Sequence, residues 1–244
     1  MNIVMPMAGR GERFSQAGFE TPKPLIEVDG IPMFVKATRS LPLALATRLI
    51  FIILEEHDNE YNISSIVEEY FSEYPLHIVR LPTVTGGQAE TVKAGLSVGV
   101  LSDSLLVFNT DSAFEDDLEL YFTNLEPEVE GMLQIFSDDQ NRWSFVRTNE
   151  SGRVLETAEK RVISKNASTG LYWFREATTF LRLKHISAQE GGESYIAPMY
   201  NQLVDEGGHV MAKPVKRFFC YGTPSDYKEA TRNGVYYICK GFST

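Results

Sequence analysis

A short apolar run that ends in a glycine turn opens this chain, and it constrains the fold more than any other feature. Ile3-Val4-Met5-Pro6-Met7 reads as a buried strand, and Ala8-Gly9-Arg10-Gly11-Glu12-Arg13-Phe14 turns out of it toward a helix. Pro22-Lys23-Pro24-Leu25 follows shortly after. A strand, a tight turn and a helix in that order begin a βαβ unit, and such units build a parallel sheet with helices packed on its faces. The turn also has a chemical reading. Glycines let main-chain N–H groups approach a polyphosphate closely, because no Cβ stands in the way. Arg13 and Lys23 add fixed positive charge at the same place. Together these residues imply an enzyme that binds a nucleoside triphosphate (NTP) and attacks it at phosphorus. An ordinary strand-to-helix turn accounts for the glycines but leaves Arg13 and Pro22-Lys23-Pro24 without a purpose. The Walker pattern G-x-x-x-x-G-K-[ST] is absent. Phe14 stands where a dinucleotide fingerprint would carry its third glycine or alanine.

The first half continues the alternation. Arg48–Leu54, Leu76–Leu81 and Ser104–Phe108 read as further strands. Between them Ile63, Ile66, Val67, Tyr70, Phe71 and Tyr74 recur at helical spacing, and Gln88 to Val98 reads as another helix. The second half changes character. Gly131–Phe136, Trp143–Thr148, Gly152–Thr157 and Ser168–Phe174 are successive strands with polar turns, so antiparallel pairing is expected. A helix is expected from Ser194, with Ile196, Met199, Tyr200, Leu203 and Val204 on one face and Gly207-Gly208 as its stop. A last helix should begin after Thr223-Pro224. The expectation is a three-layer, Rossmann-like α/β fold with a mixed, mostly parallel central sheet. We read residues 1–244 as one domain, with a nucleotide-binding half over about 1–125 and an acceptor-binding half over about 126–244.

Composition narrows the class of ligand. The 244 residues are 43% hydrophobic, enough for a sizeable core, and carry a formal net charge of −10. A nucleic-acid binder is more often basic overall, so the ligand reads as small, and its cleft is expected to be locally basic on an acidic molecule. Two cysteines, Cys220 and Cys239, give no disulfide framework and suit a reducing, cytoplasmic compartment. No secretory leader is read at the N-terminus. The longest apolar run, Leu49 to Leu54, is far too short to span a membrane.

Asp111 follows the apolar run Ser104-Leu-Leu-Val-Phe-Asn-Thr. A carboxylate at the carboxyl end of a parallel strand points into the cleft, where it can hold a Mg²⁺ that bridges phosphate oxygens. A turn or capping aspartate is the simpler reading of the same residue. Ala113 breaks the D-x-D pair that a glycosyltransferase would use. Thr85-Gly86-Gly87-Gln88-Ala89-Glu90 precedes a helix, and its main-chain and amide groups can meet a base edge; a plain helix start capped by Thr85 is the alternative. His57, His77, His185 and His209 show no metal-ligand spacing with either cysteine.

The N-terminal segment, with Pro22-Lys23-Pro24-Leu25-Ile26, Val28 and Gly30-Ile31-Pro32-Met33 after it, resembles the signature of the sugar-phosphate nucleotidyltransferases. These are nucleotide-sugar pyrophosphorylase-like enzymes with a GT-A-like fold. The resemblance covers most of the chain, and it is specific at both ends and looser in the middle. It implies that Arg13 and Lys23 are catalytic, and that Ala8, Gly9, Gly11, Gly87 and Gln88 bind nucleotide. It further implies that Asp111 binds metal. Glu159-Lys160 matches a Glu-Lys pair of the family, although Arg161 replaces the usual proline after it. With Thr169 and Gly170 of Ser168-Thr169-Gly170-Leu171-Tyr172, and with Glu193 of Gly192-Glu193, this pair would contact the acceptor. The second metal ligand of the family is an aspartate in Asp-x-Gly-Thr-Pro. Here the stretch is Cys220-Tyr221-Gly222-Thr223-Pro224, and a thiol is a poor ligand for Mg²⁺.

The resemblance implies that an NTP and a sugar 1-phosphate give an NDP-sugar and pyrophosphate, with Mg²⁺, for surface polysaccharide such as capsule or lipopolysaccharide. Two alternatives stand beside it. One is a cytidylyltransferase for a small non-sugar phosphate such as phosphocholine. The other is a catalytically inactive nucleotide-sugar-binding domain, for which Cys220 is the best argument. No nucleic acid or membrane partner is expected, and a homo-oligomer is compatible with either activity.

Overall fold

The computed structural model describes residues 1–96, 103–184 and 193–242. The glycine turn leads from β1 (Asn2–Pro6) into the short helix α1 (Glu12–Gln16). A two-residue hairpin, β2 (Glu27–Val28) and β3 (Ile31–Pro32), then feeds α2 (Met33–Arg39). β4 (Arg48–Leu54), α3 (Glu55–Tyr61), α4 (Ile63–Phe71), β5 (Leu76–Leu81), α5 (Gln88–Gly95) and β6 (Leu105–Phe108) continue the βα alternation. β7 (Ser112–Glu115) and α6 (Leu118–Thr123) lead to β8 (Val129–Ser137), β9 (Ser144–Thr148), β10 (Val154–Glu159) and β11 (Asn166–Phe174). The chain closes with α7 (Ala177–Arg182), α8 (Met199–Asp205), β12 (His209–Pro214), β13 (Arg217–Cys220) and α9 (Pro224–Asn233).

One mixed nine-stranded sheet runs through both halves. β5, β4, β1 and β6 lie side by side and parallel. β11 is antiparallel to β6 and carries β8 on its other edge, with β12 parallel to β8 beyond it. The hairpin β9–β10 joins β11 through Ala167 and Phe145. Most strands therefore share one direction, and β10 and β11 run against it.

Strand alternation divides the core between two faces. Ile3, Met5, Phe51, Ile53, Leu106 and Phe108 pack on one side with α2 and α4. Val4, Ile50, Ile52, Leu105 and Val107 pack on the other with α5 and α8. Runs buried on both faces must be apolar at nearly every position, which is why Leu49–Leu54 reads as one unbroken apolar stretch. The aromatic rings of Phe34, Phe51 and Phe71 meet at centroid distances of 5.6–6.4 Å and tie α2 and α4 to β4.

Several expected boundaries shift by a residue or more. The helix expected from Ser194 begins at Met199, because Ser194 is held extended by pairing with Gly86 and Ala89, and Pro198 disfavours helix at the residue before it. The strand expected from Gly152 begins at Val154, because Gly152 closes a turn with its N–H on the Asn149 carbonyl at 3.1 Å. The helix at Gln88 ends at Gly95, and Val98 lies outside the described residues. Among the described residues no helix is long and apolar enough to cross a membrane.

Candidate active site

The chain lays β4 and β5 to one side of β1, then returns to lay β6 on the other. At that reversal the connections leave the sheet in opposite directions and open a crevice at the carboxyl ends of the strands. The glycine turn after β1 and Asp111 after β6 flank it. The cleft there has a volume of about 640 Å³ and takes its walls from both halves of the chain.

Gly11 caps α1 with φ +64°, and a Cβ on it would stand 2.9 Å from the Cβ of Lys23. Glycine is thus required twice over, for the left-handed backbone and for the close approach of Lys23. Lys23 begins a single 3₁₀ turn after Pro22. Its Nζ donates to Asp111 Oδ2 at 2.6 Å and to the Gly222 carbonyl at 3.0 Å, and lies 5.2 Å from the centre of the Phe14 ring. Ala8, Gly9 and Arg13 complete this wall.

Gly87 caps α5 with φ +147°, and a Cβ there would fall 2.3 Å from the Ser194 nitrogen. Ser194 N–H donates to the Gly86 carbonyl at 2.9 Å, and Ala89 N–H donates to the Ser194 carbonyl at 3.1 Å. The turn expected to meet the base is therefore bonded directly to the segment that carries Glu193. Thr85 is not the cap of α5; its hydroxyl bonds the Gly87 carbonyl at 3.0 Å and Thr91. The Gln88 amide donates to the side-chain oxygen of Asn109.

Of the residues expected to contact the acceptor, Glu159 ends β10, Lys160 follows it, and Thr169 and Gly170 lie on β11. Glu159 accepts a hydrogen bond from the Ser144 hydroxyl. Burial raises its pKa and the nearby Glu193 adds to the rise, while Ser144 and Lys160 act the other way. Lys160 has φ +51°, and its N–H is fixed to the Trp143 carbonyl at 2.9 Å. Its Nζ donates to the Tyr195 hydroxyl at 2.6 Å, and that hydroxyl donates to Glu193 at 2.5 Å. Thr169 and Gly170 lie on the cleft wall, with the Thr169 hydroxyl donated to Gln134 at 3.0 Å. Gly192 lies outside the described residues.

β13 pairs with β7 so that Cys220 stands opposite Ser112, and the Tyr221 N–H bonds the Asp111 carbonyl at 2.8 Å. The position that carries the family's second aspartate is thereby placed beside Asp111. The Cys220 thiol is buried, and burial, followed by Asp111 and Asp226, pushes its pKa up to about 12. It is a protonated, soft donor. Asp226, in the first turn of α9, is bound by both its oxygens to Arg142 at 2.7 and 2.9 Å and by the Thr223 hydroxyl at 2.7 Å. Among the described residues no cluster of three or more His, Cys, Asp or Glu side chains is arranged to hold a metal ion. Asp111 fits a metal carried by a nucleotide, as a single hard-oxygen ligand; a ready-made two-carboxylate site does not fit these residues.

Arg142, Ser144, Asn109 and Tyr195 line the cleft and escaped the sequence reading. Arg142 stacks on Trp143 at 4.1 Å and reaches the Tyr237 hydroxyl at 3.1 Å. The only signal for Asn109 and Tyr195 was their place two residues from Asp111 and Glu193. The cleft also differs from expectation in charge. Among the described residues that line it, Arg10, Arg13, Lys23, Arg142 and Lys160 are equalled in number by Glu12, Asp111, Glu159, Glu193 and Asp226. It is balanced, not basic, because Lys23 and Arg142 each carry their own carboxylate partner.

Comparison with known proteins gives this geometry its family. A structure of the nucleoside-diphosphate-sugar pyrophosphorylase from Vibrio cholerae RC9 is 29% identical, with a TM-score of 0.80 over 94% of this chain and 99% of that one. A Bacillus anthracis protein assigned as a glucose-1-phosphate thymidylyltransferase shares the fold at 22% identity and a TM-score of 0.77, over 94% and 93% of the two chains. The inositol-1-phosphate CTP transferase of T. maritima does so at 18% and 0.70, over 92% and 90%. No curated protein sequence matches this one. The sequence model described as nucleotidyl transferase matches residues 2–234, and the chain belongs to that family of nucleotidyltransferases.

Proposed function

We propose that this nucleotidyltransferase joins an NTP to a sugar 1-phosphate, releasing pyrophosphate and an NDP-sugar. The observation that carries the reading is that one cleft at the strand reversal takes residues from both halves of the chain. It sets the glycine turn, Lys23 and Asp111 across from Glu159 and Lys160. The Vibrio cholerae neighbour, a nucleoside-diphosphate-sugar pyrophosphorylase, supports the sugar as acceptor.

An acceptor phosphate oxygen would attack the α-phosphorus of the NTP in line, forming one P–O bond as the bond to the β-phosphate breaks. Phosphate is already a competent nucleophile, so the protein need supply only position and charge. The main chain from Gly9 to Glu12, with Arg13, would hold the β- and γ-phosphates. Lys23 would stand at the α-phosphate, where charge builds in the transition state. Lys160, steadied by Tyr195, would hold the acceptor phosphate, and Glu159 would accept its hydroxyls. A Mg²⁺ bound at Asp111 would supply further neutralisation of phosphate charge. The NDP-sugar would serve glycosyl transfer to a surface polysaccharide from a cytoplasmic pool.

Pyrophosphate release tests the reading, measured across the four NTPs with sugar 1-phosphates, inositol 1-phosphate and phosphocholine. Turnover with a sugar 1-phosphate supports it, and turnover confined to phosphocholine or inositol phosphate overturns the acceptor. Cys220 keeps one second reading alive, an inactive nucleotide-sugar binder. If the wild type binds nucleotide yet releases no pyrophosphate, and Cys220→Asp gains release, that second reading holds.

A further inference from the structure

β11 breaks step with β8 where it reaches the cleft. The two strands pair in register as far as Ser168 and Ile135, and pairing resumes at Tyr172 and Leu133. Thr169, Gly170 and Leu171 therefore stand opposite one residue, Gln134. Gly170 has φ +85°, and a Cβ on it would fall 2.3 Å from the Asn109 amide nitrogen. A bulge of this kind interrupts the ladder and re-aims the residues it carries. Gln134 and Thr169 are almost wholly buried, so their polar groups need partners within the protein.

Those partners form one chain of bonds. The Thr169 hydroxyl donates to Gln134 Oε1 at 3.0 Å, and Gln134 Nε2 donates to Asp116 Oδ2 at 3.0 Å. The same Asp116 oxygen takes the Lys213 ammonium, which also donates to the Pro214 carbonyl at 2.9 Å. Lys213 stands opposite Gln134 in the register of β12 with β8. Chemistry sets the direction of the chain. A carboxylate paired with an ammonium only accepts, so Gln134 turns its NH₂ to Asp116 and its oxygen to Thr169. The Thr169 hydroxyl must then donate. Met132, Leu133, Ile135 and Phe136 beside Gln134 are buried and apolar. A buried amide among them is costly unless it is bonded, so packing alone does not account for it. Thr169 and Gly170 are among the described residues that line the cleft, and Gln134, Asp116 and Lys213 are not; Asp116 and Lys213 line a separate cavity.

We propose that Gln134 is a positioning residue for acceptor binding: anchored by Asp116 and Lys213, it holds the Thr169 hydroxyl and so sets the bulge of Thr169 and Gly170 against the acceptor. The proposal rests on the acceptor reading above. Gln134 touches no substrate and acts through Thr169.

Steady-state kinetics on the full chain test this, with the NTP and the sugar 1-phosphate that give the wild type its fastest pyrophosphate release. Gln134→Leu is close in volume and removes both side-chain bonds. It should raise the acceptor KM about tenfold, the scale of one lost buried hydrogen bond, and leave the NTP KM within about twofold. Thr169→Val should do the same. The double variant should be no worse than either single one, because residues that act in series do not add. Thr169→Ser keeps the hydroxyl and should stay close to the wild type. Asp116→Asn frees Gln134 to turn over, and should raise the acceptor KM although Asp116 does not line the cleft. Thermal melting shows which variants are folded. An unchanged acceptor KM in folded Gln134→Leu overturns the proposal. So do effects of Gln134→Leu and Thr169→Val that multiply in the double variant, or NTP and acceptor KM values that rise alike. If Gln134→Leu does not fold, an unchanged acceptor KM in Asp116→Asn or in Thr169→Val overturns it. If the wild type binds nucleotide but releases pyrophosphate with no sugar 1-phosphate, the acceptor reading falls and the proposal with it. If the wild type turns over and the variants fail these expectations, the proposal alone falls.

Discussion

At the scale of single residues, the proposed reaction puts Lys23 at its nucleotide end and Glu159 at its acceptor end. Lys23 is stiffened by a proline on each side and aimed at the floor by its contact with Gly11. Lys23→Ala should leave the fold intact and lower kcat by the equivalent of about 3–4 kcal/mol, as removal of one donor to a developing transition-state charge does. Steady-state kinetics with the true substrate pair is the check, and a near-normal kcat would remove Lys23 from the reacting phosphate. Glu159 makes a prediction about pH. Burial raises its pKa above the ordinary 4.5, so the folded protein penalises its charged form. That penalty is absent below the ordinary value, grows as pH rises through the folded value, and stays constant above it. Glu159→Gln still accepts from Ser144 and removes the charge. Its melting temperature should exceed that of the wild type at neutral pH and converge with it in acid. Its KM for the acceptor should rise roughly tenfold or more, through loss of charged hydrogen bonds. A variant less stable than the wild type at neutral pH would show that the carboxylate is stabilised in the fold.

At the scale of elements, the start of α5 joins the two halves of the site. Gly87 has a backbone conformation that other residues rarely adopt, and it touches the backbone of Ser194. Gly87→Ala should destabilise the protein by more than about 1 kcal/mol. It should also weaken both nucleotide and acceptor binding, since the displaced segment carries Glu193. Calorimetric titration of each ligand tests this; a loss confined to one of them would separate the halves. The legibility of elements followed their chemistry. β1, β4 and β6 could be read because burial on two faces leaves a nearly continuous apolar run, whereas β5, a half-buried edge strand, could be read from Leu76, Ile78, Val79 and Leu81. α9 could be read because Thr223 caps it and Pro224 opens it. The ribbon of β7 and β13 could not be read, since Ser112–Glu115 and Arg217–Cys220 are short and mixed in polarity. Yet that ribbon brings Cys220 to Asp111. The glycine turn, Lys23 and Asp111 could be named in advance because local spacing carries them. Arg142 and Tyr195 could not, because their partners Asp226, Tyr237 and Lys160 lie 35 to 95 residues away in the chain.

At the scale of the whole molecule, charge governs how substrate arrives. The chain carries a net charge of −10, and the described side chains lining its cleft hold acidic and basic groups in equal number. In the proposed reaction both substrates are polyanions. On that reading the long-range field repels them, and attraction begins only within the cleft. Screening extends over about 30 Å at 0.01 M ionic strength and about 8 Å at 0.15 M. Raising salt across that range weakens the repulsion more than it weakens contacts inside the cleft. The rate kcat/KM for the NTP should therefore hold steady or rise a few-fold with salt, opposite to the fall expected of a site that steers its ligand by a basic field. Stopped-flow association of a fluorescent NTP analogue across the same salt series isolates the encounter step from chemistry. An association rate that falls steeply with salt would mean that Arg10, Arg13 and Lys160 project a field beyond the cleft despite the acidic side chains that line it. The balance of side-chain charge would then fail as the account of how this enzyme meets its substrates.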